Sequence, residues 1–181
     1  MTHSIHTTPV IGFCAFSGTG KTTLLRKLIP LLRQRKLRLG VIKHAHHGFD
    51  VDHPGKDSFE LRKADTYQTL ISSAKRKALI TEFDDQPEPT LAELIDDLDH
   101  AHIDLVLVEG FKHEHYAKIE LHREALDKPY LHEQDVDIIA IAADHAVNSD
   151  RQLPLLDINQ PEQIADFIYQ RIYLTTQQND D

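Results

Sequence analysis

The sequence predicts an α/β fold: a mainly parallel β-sheet with helices on both faces, three layers in all, with room for antiparallel ribbons at its edges. Two observations carry that expectation. Apolar runs of strand length alternate with stretches of helical period along the chain, the order expected of strand–helix–strand units. The runs beginning near Val10, Leu39, Ile103 and Ile138 are continuous rather than alternating, which is how strands covered on both faces read. With 181 residues, 40% hydrophobic and 27% charged, the chain can bury one sizeable core. A single domain is expected over residues 1–174, with a polar, frayed tail at 175–181.

Each element has its own signal. Val10 to Phe16 is an apolar, β-branched run stopped by a Ser-Gly-Thr-Gly turn, a buried strand. The helix behind it starts at Lys21 and runs to about Arg35. Leu24, Leu25, Leu28, Leu31 and Leu32 share its face, and Pro30 should bend it or end its regular part. Arg38 to His44 gives a second strand. From His44 to Gly55 no period is sustained, and long loops of this kind in compact domains are usually functional. Asp57 and Glu60 have capping-box spacing ahead of a short helix over Phe59 to Ala64. Tyr67 to Ser72 and Lys77 to Phe83 read as neighbouring strands joined by a polar turn. Thr90 and Glu93 form a second capping box before a helical face of Leu91, Leu94, Ile95 and Leu98. Ile103 to Val108 is a continuous buried strand, and Ile138 to Ala142 is another. Lys118 to His122 is a weaker strand, grouped with the Tyr67 to Phe83 pair as an antiparallel edge ribbon. The last helix starts near Pro161, with Ile164, Phe167, Ile168 and Ile172 inward.

Charge and cysteine content narrow the functional classes. A formal net charge of -9 opposes contact with nucleic acid or anionic lipid, because neutralising phosphates takes a surplus of Lys and Arg. Neither nucleic acid nor membrane is expected as a partner, and a bound phosphate must meet a local positive site. Cys14, the only cysteine, lies in an apolar run and offers no internal disulfide. No apolar stretch suits a signal peptide or a membrane span. A soluble protein of the reducing cytoplasm is expected.

The most specific segment is Ala15-Phe-Ser-Gly-Thr-Gly-Lys-Thr22. It lies between a strand and a helix start, the context that gives a P-loop (Walker A) signature its meaning, and it makes the sheet one of the P-loop nucleoside-triphosphatase type. Gly18 and Gly20, with Thr19 between them, let backbone amides turn toward phosphate oxygens at the positive end of the following helix. Lys21 brings a mobile charge to the terminal phosphates. Thr22 offers its hydroxyl to Mg²⁺, and Thr23 its hydroxyl or amide to the next phosphate. Ala15 stands where the pattern asks for glycine; a positive φ there would strain the loop, an ordinary one would not. Glu109, after the run from Ile103 to Val108, emerges at the carboxyl end of its strand and is the candidate Mg²⁺ carboxylate. Asp104, at the other end of that strand, reads as a solvated entry residue.

A second group of candidates surrounds the long loop. His44, His46 and His47 with Asp50 and Asp52 could ligate a transition metal, but they lack the paired spacing of a zinc site. Contact with a phosphate or pterin suits them better, beside Lys43, with Asp50 or Asp52 reaching Mg²⁺ through water. The plain alternative is a solvated polar loop. Lys56 adds charge to the same mouth or merely belongs to a turn. Lys112 could hold an anion or face solvent. Asp144 follows a buried strand, where an aspartate can read the guanine amino and imino protons. The lysine that usually stands two residues earlier is replaced by Ala142, so spacing does not identify the base.

Several motifs together carry a family resemblance. Ala15 to Thr23, Ile42-Lys43-His44 with His46-His47, Asp50-Val-Asp52, Pro54-Gly-Lys-Asp-Ser58, Glu60-Leu-Arg-Lys-Ala64 and Leu107-Val-Glu-Gly-Phe-Lys-His113 resemble the molybdopterin-guanine dinucleotide biosynthesis adaptor protein B (MobB) family. The similarity runs nearly end to end and includes Leu155-Leu-Asp-Ile-Asn159. The resemblance implies a fold of the GTPase and dethiobiotin-synthetase-like branch, GTP bound with Mg²⁺, a homodimer, and slow hydrolysis at most. It further implies assistance to the guanylyltransferase that joins GMP to molybdopterin. Gly18, Gly20, Lys21, Thr22 and Thr23 match the family's phosphate loop, and Glu109 its second acidic motif. Two other readings compete. An ATP-dependent small-molecule kinase or ligase would use the same loop, lysine and carboxylate with Asp50 or Asp52 as base. A non-catalytic scaffold would keep a relic loop, against which stand both Lys21 and Glu109.

Overall fold

The computed structural model describes residues 8–45, 48–83 and 86–178. Contacts divide the chain into two units, Met1–His44 with Leu91–Asp181, and Ala45–Thr90. In chain order the elements are β1 (Val10–Cys14), α1 (Lys21–Gln34), β2 (Leu39–Lys43), α2 (Asp57–Lys63), β3 (Gln68–Ser72), β4 (Lys77–Thr81), α3 (Leu91–Asp96), β5 (Leu105–Glu109), β6 (Lys118–His122), β7 (Ile138–Ala143), β8 (Leu155–Asp157) and α4 (Pro161–Gln178).

The first unit holds a six-stranded sheet in the order β2-β5-β1-β6-β7-β8, parallel at every pairing. Helices α1 and α4 cover one face. Leu24, Leu25, Leu28 and Leu32 of α1 and Ile164, Ala165 and Ile168 of α4 pack on Ile11, Phe13, Leu105, Leu107, Ile119 and Leu121. On the other face Leu91 of α3 joins Ile42, Val106 and Val108, with Leu94 and Ile95 half-buried beside them. Continuous apolar strands are needed because both faces are covered. Pro30 lies inside α1, and the helix continues past it to Gln34. Helix α4 likewise continues to Gln178, beyond the expected start of the tail at Thr175. No helix among the described residues is long and apolar enough to cross a membrane.

Strand β6 departs from expectation. It is no edge ribbon but a parallel strand between β1 and β7, and its polar residues Lys118, Glu120 and His122 are all buried. Each has a partner supplied from the segment that follows. The Lys118 ammonium meets Asp135 at 2.7 Å and donates to the carbonyls of Lys112 and Glu114. Glu120 accepts from the amides of Leu131 and His132 and pairs with the His132 ring at 2.8 Å. His122 Nε2 lies 2.8 Å from the Lys128 carbonyl. Buried charge is tolerable only when paired in this way.

The connection from β5 to β6 contains no helix and passes over β1. Gly12 permits this passage, since a Cβ there would lie 2.2 Å from Cε2 of Tyr116. Tyr116 is fixed by its hydroxyl, which donates to the Gly110 carbonyl at 2.8 Å. Two residues after Gly12 on β1, Cys14 is buried at 3% exposure. Burial, with the charges of Glu120 and Asp135 nearby, pushes its thiol up to about 12.

The second unit contains α2 and the antiparallel pair β3–β4, with Leu70 opposite Leu79. The expected capping box at α2 does not form: Lys56 takes the N-cap position without a side-chain hydrogen bond, and Asp57 is the first helical residue. Glu60 instead accepts from the Gly55 amide at 3.4 Å. Arg62 of α2 is buried at 6% exposure and bonds Asp50, Asp52 and Glu82.

Candidate nucleotide site

The glycine-rich loop leaves β1 at Cys14 and enters α1 at Lys21. Gly18 has φ 85° and Gly20 φ 99°, conformations that a side chain would strain, and Gly20 serves as the left-handed N-cap of α1. The Thr19 hydroxyl donates to the Phe16 carbonyl at 2.8 Å and closes the turn. Ala15 has no positive φ, so the methyl in place of glycine carries no backbone strain. The loop thereby sets the N-terminal amides and positive end of α1 where an anion can meet them.

Around this loop four side chains converge. Lys21 Nζ donates to the Ala15 carbonyl at 3.0 Å, folded back across the loop. The Thr22 hydroxyl donates to Glu109 Oε1 at 3.0 Å. Glu109, at the end of β5, also has Oε2 at 3.8 Å from Lys43 Nζ at the end of β2. The parallel register places Lys43 beside Glu109 and Glu109 beside Phe13, so all of these groups gather at the carboxyl ends of adjacent strands. A threonine hydroxyl and a carboxylate in contact are two hard oxygen donors, the pair a magnesium ion takes while keeping waters of its own.

The remaining candidates are dispersed. His44 stacks on Phe111 with ring centroids 4.7 Å apart, and its amide donates to the Glu109 carbonyl at 2.8 Å. It braces the turn after β5. Asp50, Asp52 and Lys56 belong to the second unit, where both aspartates are held by Arg62. Burial is the largest single influence on the Asp52 carboxyl and pushes it up, but hydrogen bonds from Arg62 and Ser58 and the Arg62 charge together hold it below the usual range. His46 and His47 lie outside the described residues. Among the described residues no three His, Cys, Asp or Glu side chains gather as a metal site would require. Lys112 contributes its carbonyl to Lys118 and lines a cavity of about 270 Å³ with His113 and His115.

Asp144 is occupied by protein groups. It accepts from the Glu124 amide at 3.0 Å and from Arg123 Nη1 at 3.3 Å, and its Oδ1 lies 3.0 Å from the His145 ring. These contacts hold its carboxyl down at about 2. Arg123 was not singled out by sequence reasoning, yet its Nε donates to the Thr19 carbonyl of the loop at 3.1 Å. Asn159 accepts from the same guanidinium at 3.2 Å. The signals that marked this region were Asp144 itself and the Leu155-Leu-Asp-Ile-Asn159 motif.

The comparisons with known proteins agree with this architecture. Residues 10–144 match the family model described as "Molybdopterin guanine dinucleotide synthesis protein B". The chain is 52% identical over 161 residues to the molybdopterin-guanine dinucleotide biosynthesis adapter protein of Escherichia coli strain K12, covering 88% of this chain and 91% of that one. The Haemophilus influenzae adapter protein is 47% identical over 88% of this chain and 87% of its own length. A crystal structure of molybdopterin-guanine biosynthesis protein B superposes with a TM-score of 0.72 at 25% identity, covering 91% of this chain and 99% of that one.

Proposed function

From a chain that belongs to the molybdopterin guanine dinucleotide synthesis protein B family, we propose an adaptor in the biosynthesis of molybdopterin guanine dinucleotide that binds GTP with Mg²⁺ at its P-loop and serves the guanylyltransferase joining GMP to molybdopterin. The observation that carries the nucleotide part is the meeting of Lys21, Thr22 and Glu109 at one sheet edge, with Thr22 and Glu109 in contact at 3.0 Å. Triphosphate lying along the loop would accept from the amides of Gly18 to Thr23, and Lys21 would exchange the Ala15 carbonyl for the terminal phosphates. Thr22 and Glu109 would hold the magnesium ion, which when bound neutralises phosphate charge. The adaptor role itself is taken from the named relatives. Slow hydrolysis at most, a homodimer and a cytoplasmic setting complete the reading.

Calorimetric titration of Mg-GTP and Mg-ATP into the wild type and Lys21→Ala tests it. Saturable GTP binding, weaker ATP binding and loss of about tenfold or more in affinity in the variant are expected, since a charge-assisted contact to phosphate contributes about 1.5–3 kcal/mol. ATP preference with acceptor-dependent turnover would replace the adaptor by a kinase or ligase. No binding of either nucleotide would leave a scaffold.

A further inference from the structure

Beside the glycine-rich loop lies a cavity of about 280 Å³, lined by Gly18, Thr19, Gly20, Thr23, Arg123 and Asn159 among others. Its walls are of two kinds. Leu24 and Ile158, both buried, and Pro161 give it an apolar part against which a flat ring can lie. Arg123 and Asn159 give it a polar part whose hydrogen-bonding sense is fixed. Arginine only donates; three of its bonds go to the Thr19 carbonyl, Asp144 and Asn159, leaving Nη2 without an acceptor among the described residues. Because Asn159 accepts from Arg123 through Oδ1, what it has left to offer is its NH₂, which carries two protons; one is engaged by Asp157, and the second remains to donate. This side of the cavity therefore presents donors and no side-chain acceptor from these two residues.

We propose that this cavity is the base subsite of the nucleotide, and that Arg123 and Asn159 select guanine by donating to its O6 and N7. The inference rests on the P-loop reading above and deepens it. Guanine carries two acceptors side by side on that edge, whereas adenine places a donor, N6, beside N7. An adenine in the same pose faces donor with donor and leaves buried polar groups unpaired. The two residues are themselves fixed from behind. Asp144 holds the guanidinium, and Asp157 Oδ1 accepts from the backbone amide of Asn159 at 2.8 Å. Asp144 is a positioning residue in this arrangement, acting on the base through Arg123.

The test titrates Mg-GTP, Mg-ATP, Mg-inosine triphosphate and Mg-tripolyphosphate into the wild type, Asn159→Ala and Arg123→Lys. Inosine triphosphate keeps O6 and N7 and lacks the 2-amino group, so it should bind the wild type as GTP does, with ATP weaker. Asn159→Ala should lose about tenfold for both GTP and inosine triphosphate, with tripolyphosphate binding unchanged, which also shows that the variant is folded. Equal binding of GTP and ATP, inosine triphosphate binding far weaker than GTP, or GTP affinity untouched by both substitutions overturns the subsite while the phosphate site stands. Failure of the wild type to bind either GTP or tripolyphosphate overturns the P-loop reading itself.

Discussion

Asp144 turns local hydrogen bonding into a pH response. The Glu124 amide and the His145 ring lead, and with a smaller contribution from Arg123 they bring its carboxyl from the ordinary 3.8 to about 2 against the effect of burial. A carboxyl depressed by folding adds stability above its unfolded pKa, and the addition is lost as pH falls through the folded value. The stability difference between wild type and Asp144→Asn should therefore be full at about pH 5 and shrink toward pH 2. Urea unfolding of both proteins across that range checks it; a constant difference would mean that the carboxylate titrates alike in both states. The sequence marked Asp144 as a candidate from its place after an apolar strand. That Arg123 pairs with its Oδ2 was hidden, because the pairing depends on two loops brought side by side by the order of the sheet.

At the scale of elements, the crossover from β5 to β6 places the most specific demand on packing. Gly12→Ala pushes a methyl into the Tyr116 ring, 2.2 Å from its nearest carbon, and should cost about 2 kcal/mol as an overpacked site. Tyr116→Ala opens the space, so the double variant should be less destabilised than the sum of the two single ones. Chemical denaturation of the four proteins gives the coupling, and strict additivity would place the clash elsewhere. Elements that announce themselves by continuous apolar runs or helical faces, such as β1, β5, β7, α1 and α4, were legible in the sequence. So was the union of Lys21, Thr22 and Glu109, which follows from a loop and a strand end on one edge of a parallel sheet. Strand β6 was not. Lys118, Glu120 and His122 alternate with Ile119 and Leu121, the pattern of a half-exposed strand. The partners that make their burial possible, Asp135, His132 and the Lys128 carbonyl, lie beyond the strand in the chain and leave no periodic trace.

The whole molecule distributes its apolar core unevenly. Among the described residues the buried hydrophobic side chains all belong to the unit of Met1–His44 and Leu91–Asp181, while the one buried side chain of Ala45–Thr90 is Arg62. Leu70 and Leu79, opposite one another on β3 and β4, are 64% and 59% exposed. Local stability follows buried apolar contact. Native-state hydrogen exchange should accordingly show the amides of β3 and β4 opening at a lower free energy than those of β1, β5 and β6. Equal protection in both sets would mean that the ionic cluster around Arg62 stabilises its unit as well as the aliphatic core does the other.

Cys14 gives the molecule one more property. A thiol at 3% exposure and held up to about 12 is almost wholly in its unreactive protonated form at neutral pH. It is also the only cysteine in the chain. The wild-type background is thus silent toward maleimide dyes and spin labels, so a cysteine placed at an exposed position such as Lys27 or Leu70 would carry a reporter to one address. Motion of either unit could then be followed by fluorescence or paramagnetic distance without first removing a native thiol.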